Sequence, residues 1–181
     1  MRVSGRREVP VPAPHESFEE YVRARNTALS RVAYLLTGDH HLAEDLVQQA
    51  LLRVVGQWSR IVASGDPDAY VRRVLYHLHI SWWRRRRPAG PLPEDAVARS
   101  SPDPSDAVVA SIAVRRALAR LGPRQRAVLI LRYFEDLSES QTALVLGVSV
   151  GTVKSQARDG LARLRTLAPE LAALVETEVQ S

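Results

Sequence analysis

Trp82 and Trp83 run directly into Arg84, Arg85, Arg86 and Arg87, so two indoles meet four guanidinium groups within six residues. Flat rings beside fixed cations suit unpaired nucleic acid: the rings stack on bases while the arginines follow phosphates. The pattern extends upstream when residues 68–87 are read as one helix. Val71, Val74, Leu75, Leu78 and Trp82 then share a face assigned to the core. Arg72, Tyr76, His79, Trp83 and Arg87 share the opposite face, with Arg73, His77, Ile80 and Arg84 adjacent. A protein that opens a duplex needs such groups to offset the lost base stacking. Two other readings stand beside this one, a solvated helix end and a helix lying on an anionic membrane. Against the membrane, the face opposite the core is aromatic and cationic rather than aliphatic.

A second constellation lies in residues 138–166. Ser138 with Gln141 three positions on is a capping box, Gly147 suits a sharp turn, and Ser149 can cap a further helix. Two short helices joined by a glycine turn form a helix-turn-helix, whose second helix enters the DNA major groove. Val153, Ala157, Leu161 and Leu164 fall on the packing side of that second helix. Thr152, Ser155, Gln156 and Asp159 point the other way, flanked by Lys154 and Arg158, an arrangement fitted to base edges and phosphates respectively. The competing reading is an αα-hairpin with a solvated polar face.

Metal or enzymatic chemistry finds little support. His40, His41, Glu44 and Asp45 are close in sequence, but no HExxH-like spacing occurs, and His77 and His79 face different directions on a helix. The absence of cysteine excludes disulfides, thiolate zinc sites and cysteine nucleophiles together. No catalytic residue, metal or cofactor is expected. A formal charge of +5 fits an anionic partner, and no apolar run approaches the ~20 residues of a membrane span, so a cytoplasmic protein without membrane insertion is expected.

The elements that must position these groups are all helical. Residues 1–15, with Pro10, Pro12 and Pro14, read as a tail. Helical periodicity runs from Ser17 to Thr37, then over residues 41–58; 59–67 read as a loop, and a long helix follows to Arg86. Pro88, Pro91, Pro93, Pro102 and Pro104 break any regular element, so 88–105 read as a linker. Periodicity returns over 106–121, breaks at Gly122-Pro123, and resumes through Phe134 and the helix-turn-helix. The expectation is an all-α chain of two small helical domains, 16–87 and 106–168, joined by the proline-rich linker and followed by a tail at 169–181.

Six segments in this order resemble the extracytoplasmic-function sigma factors of the sigma-70 family, in an actinobacterial form. They are Tyr34-Leu35-Leu36-Thr37-Gly38-Asp39, Ala43-Glu44-Asp45-Leu46-Val47-Gln48, Ala69-Tyr70-Val71-Arg72-Arg73-Val74-Leu75, Ser81-Trp82-Trp83-Arg84-Arg85-Arg86, Leu121-Gly122-Pro123-Arg124-Gln125-Arg126 and Ser149-Val150-Gly151-Thr152-Val153-Lys154-Ser155. The resemblance covers about residues 17–168. It implies a region 2-like bundle and a region 4-like helix-turn-helix. Asp45, Gln48, Gln49 and Leu52 would dock on the β′ clamp of core RNA polymerase, with the β flap as a further contact. The loop and the helix from Asp68 would recognise and melt the minus-ten element. The helix from Val150 would read the minus-thirty-five element through Lys154, Ser155, Arg158 and Asp159. An anti-sigma partner is compatible with the family, although no residue here identifies one. The polymerase, not this chain, would do the chemistry. Against the family pattern, Gln49 stands where Glu is common, His77 where Asn is usual, Asp159 where Arg is frequent and Gly160 where Ala is usual. A weaker or altered minus-thirty-five contact is therefore expected. The main alternative is a dimeric DNA-binding regulator that works without polymerase.

Overall fold

The computed structural model describes residues 17–86, 114 and 116–168, and among these there is no strand. The expected tails, the linker and Arg87 lie outside the described residues.

The three long helices of the first half each start where a short polar side chain can accept from an otherwise unpaired backbone N–H. Ser17 accepts from Glu20 and opens α1 (Phe18–Thr37); Gly38, at φ 75°, closes it in the left-handed region. Asp39 accepts from the Leu42 N–H at 2.9 Å and opens α2 (His40–Val55). Asp66 does the same for the Ala69 N–H at 2.9 Å, with Pro67 as the first residue of α4 (Pro67–Arg86).

Between α2 and α4 the structure corrects the expected loop. A short helix, α3 (Trp58–Ala63), occupies most of it. Trp58 and Ile61 lie one helical turn apart and both are buried. The Trp58 ring packs on Tyr21 and edge-on against Phe18, at 4.8 and 5.3 Å between centroids. The apolar spacing Trp58, Ile61, Val62 was the signal for this turn.

The C-terminal half begins, within the described residues, with helical residues 116–119. Then come α5 (Pro123–Leu129), α6 (Glu139–Leu146) and α7 (Val150–Leu167). The helix-turn-helix details match the sequence reading. Ser138 and Gln141 form the reciprocal capping box, Gly147 takes φ 66°, and Ser149 accepts from the Thr152 N–H at 3.1 Å. Val153 and Leu164 are buried and Ala157 and Leu161 half-buried, as their face requires. Gly160 is buried too: a Cβ there would come within 3.2 Å of Leu129 Cδ1. Glycine therefore lets α7 lie close to α5, which explains its place inside a helix.

The two halves share one core. Leu36, Leu46, Leu75 and Leu78 from the first join Val128, Leu131, Val145 and Leu146 from the second in a continuous buried cluster. Halves this small bury too little surface to be more than marginally stable alone, and a common core offsets that. Its consequence falls on α4. Val71, Leu75 and Leu78 are buried as expected, but so are Tyr76 and His79 on the face expected to be open, because the C-terminal half covers it.

Candidate nucleic-acid interface

Part of the polar side of α4 is engaged by the second half of the chain, at Arg72, Tyr76 and His77. Arg72 forms an ion pair with Glu135, whose side chain is only 11% exposed. The Tyr76 hydroxyl donates to Glu135 Oε1 at 3.3 Å. Burial raises the Glu135 carboxyl pKa above its ordinary value, and Arg72 and the Tyr76 hydroxyl oppose that rise. Burial and the neighbouring carboxylate push the Tyr76 hydroxyl well above the usual phenol range.

Further along, the His77 ring Nε2 lies 3.1 Å from the Val145 carbonyl, within hydrogen-bond reach. His79 is fully buried, and neither ring nitrogen finds a hydrogen-bond partner among the described residues. Burial, with the Arg126 charge added, lowers its pKa to about 3, so the ring is neutral. Ile80 and Trp83 are half-buried, while Arg73 and Arg84 are exposed.

Arg126 is the buried cation of this interface. It donates to the carbonyls of Leu36 at 2.6 Å and Ala119 at 2.5 Å, and its guanidinium lies 5.5 Å from the Trp83 ring centroid. Burial lowers its pKa to about 10, which leaves it charged at neutral pH. Neither Arg126 nor Glu135 carries a role in the sequence reading. Both face a neighbour from the other half, and no local pattern encodes that.

Glu135 is held in an unusual stretch of backbone. A π turn, Ile130–Phe134, extends α5, and the Glu135 N–H bonds back to the Ile130 carbonyl at 3.0 Å. The next residue, Asp136, has φ 51°, in the left-handed region.

On α7, Lys154 is exposed and pairs with Glu139 of α6 at 3.6 Å. Arg158 and Asp159 are exposed and pair with each other at 3.2 Å. Ser155 donates its hydroxyl to the Thr152 carbonyl. Thr152 and Gln156 are half-buried and border an open cleft of about 320 Å³ that also takes in His77, Arg84 and Arg124. The structure thus brings residues of both expected DNA surfaces to one cleft. On α2, Asp45, Gln48, Gln49 and Leu52 are exposed, and Leu52 is 73% accessible. His40, one of the residues weighed for metal binding, stacks on Tyr34 at 4.1 Å between ring centroids.

Comparison with known proteins gives this arrangement its class. Residues 21–89 match the family described as Sigma-70 region 2, and residues 111–164 match Sigma-70, region 4. Fold and helix-turn-helix together define a factor of the sigma-70 class. The chain belongs to the extracytoplasmic-function sigma factors of that family. It is 42% identical over 152 residues to the RNA polymerase sigma-E factor of Streptomyces avermitilis, covering 82% of this chain and 83% of that one. It is 30% identical over 178 residues to the ECF RNA polymerase sigma factor SigL of Mycobacterium tuberculosis, covering 94% and 97%. Among solved structures, its fold resembles the sigma factor RpoE of Bartonella quintana, crystallised with the anti-sigma factor NepR. The TM-score is 0.64 at 24% identity, covering 83% of this chain and 95% of that one. No helix among the described residues is long and apolar enough to cross a membrane.

Proposed function

We propose that this sigma factor binds core RNA polymerase and directs promoter-specific initiation through three surfaces divided between its halves. The carrying observation is the capped helix-turn-helix, which leaves Lys154 and Arg158 exposed on one face of α7. Such a helix enters the major groove with short polar residues toward base edges and cations toward phosphates. Thr152, Lys154, Ser155, Gln156, Arg158 and Asp159 contact the minus-thirty-five element. Arg72, Arg73, Tyr76, His77, His79, Ile80, Trp83, Arg84 and Arg87 serve the minus-ten element and its melting. Asp45, Gln48, Gln49 and Leu52 bind the β′ clamp, a role supported by the exposure of Leu52, a large apolar side chain on the open face of α2. The region 4-like half contacts the β flap.

In this division residues 16–87 and 106–168 are the working domains and 88–105 the connection between them. The chain supplies no catalytic group: the polymerase makes the phosphodiester bond. The site of action is the cytoplasm, and an anti-sigma factor is a fitting partner. Pull-down of core polymerase by the full chain, followed by run-off transcription, tests the reading. Loss of both on Leu52→Asp with helical content unchanged is the expected outcome; retention of both by that variant removes the clamp assignment.

A further inference from the structure

Tyr21 of α1 touches both ends of the segment that leads into α4. Its ring packs on Trp58 at the start of α3, 4.8 Å between centroids, and its hydroxyl donates to the Asp68 carboxylate in the first turn of α4. Arg25, one helical turn further along α1, reaches the same carboxylate at 2.5 Å. Two donors from one helix therefore hold Asp68. The Arg25 and Asp68 side chains are only 29% and 23% exposed, so salt screens the pair less than a surface bridge. Between the two anchors, Gly65 turns at φ 93° and Asp66 caps α4 through the Ala69 N–H.

A small buried cluster lies beneath this segment: Tyr21, Val54, Trp58, Ile61 and Val71. It is separate from the shared core and draws on the first half alone. The anchorage is thus built without any residue of the second half.

We infer that Asp68 is a positioning residue for promoter opening. Clamped by Tyr21 and Arg25, it holds residues 58–66 and the first turn of α4 in place to meet the displaced strand, and so sets how sharply the minus-ten sequence is discriminated. The inference rests on the reading of α4 as the minus-ten surface. A surface that must order itself on contact gives up part of its binding energy to the lost entropy, and one ordered in advance does not. Discrimination between bases also needs groups whose positions are fixed before the base arrives. Asp68 itself is an anion and repels phosphate, so it acts through position rather than contact.

Tyr21→Phe removes only the hydroxyl and keeps the ring on Trp58; Asp68→Asn removes the charge that Arg25 meets. Each full-length variant is assembled with core polymerase and transcribes a template pool randomised across the minus-ten element of a start site the holoenzyme uses. Sequenced transcripts then give a relative initiation rate for every template. Core-polymerase affinity is expected to stay unchanged. Initiation on the best templates is expected to fall about tenfold for Asp68→Asn and less for Tyr21→Phe. The ratio of best to median templates is expected to fall with it. Partial unfolding lowers all templates in proportion and leaves that ratio alone. A preserved ratio, with or without slower initiation, therefore overturns the inference; if Asp68→Asn fails to assemble, Tyr21→Phe decides alone. Trp83→Ala runs in parallel. Wild-type initiation by that variant refutes the minus-ten reading of α4 itself, whereas a Trp83→Ala defect beside wild-type ratios in the other two refutes only the positioning role.

Discussion

Arg126 donates to the carbonyl of Leu36 at 2.6 Å across 90 residues of sequence. That bond joins the C-terminal turn of α1 to the start of α5, so one buried guanidinium ties the two halves together. A helix end leaves its last carbonyls without intrahelical partners, and here an arginine from the other half supplies one. Arg126→Leu leaves the Leu36 and Ala119 carbonyls unpaired in the core. The expected loss is about 2–4 kcal/mol of unfolding free energy. Urea denaturation followed by far-UV circular dichroism reads it; a change under about 0.5 kcal/mol would show that the buried guanidinium adds no net stability.

The shared core is expected to weaken in mild acid because of His79. Its pKa is about 3 when buried against an ordinary value of 6.5, so the unfolded chain takes up the proton first. The stability it permits is complete above pH 6.5 and is lost as pH falls toward 3. Between pH 7 and pH 5 the loss is about 2 kcal/mol. Glu135 acts in the opposite sense, since its raised pKa contributes stability below the carboxylate range that is lost as pH rises. Comparing urea midpoints of the wild type and His79→Gln across this window isolates the histidine. A wild-type profile no steeper than that of the variant contradicts the assignment.

Much of this was legible in the sequence, and the division has a physical basis. Caps and turns are local: Ser138 with Gln141, Gly147 and Ser149 announce the helix-turn-helix because each acts on backbone within three or four residues. The buried face of α4 followed from period alone at Val71, Leu75 and Leu78. Burial of Tyr76 and His79 could not follow, since it depends on which face the other half covers. The Arg72–Glu135 pair likewise joins positions 63 apart in number. Nothing near Glu135 marks it as different from any acidic residue after a helix. The missed helix α3 is a different case, because its turn of apolar spacing was present but short.

Gly147 takes φ 66° with the His77 ring 3.7 Å from where a Cβ would stand. Space is sufficient there, so the cost of Gly147→Ala is conformational, about 1–2 kcal/mol. Gly147→Asn is expected to lose less, because asparagine tolerates the left-handed region. Thermal melts of the two variants order them; an alanine variant as stable as the wild type would contradict the strained turn.

Asp159 pairs with Arg158 on the exposed face of α7, so it both repels phosphate and occupies a cation that could meet one. Asp159→Arg is expected to raise holoenzyme affinity for promoter DNA and to steepen the log–log salt dependence by about 1–2. Titration at several salt concentrations reads both quantities. Equal or weaker binding by the variant would place Asp159 in a favourable base contact, such as acceptance from a cytosine amino group.

The most direct test of the account is start-site mapping by transcription with purified core polymerase, with and without the full chain, on a library of genomic fragments. Defined start sites that appear only when the chain is added, and disappear with Leu52→Asp, are the predicted result. A chain that neither associates with core polymerase nor changes where transcripts begin would contradict it.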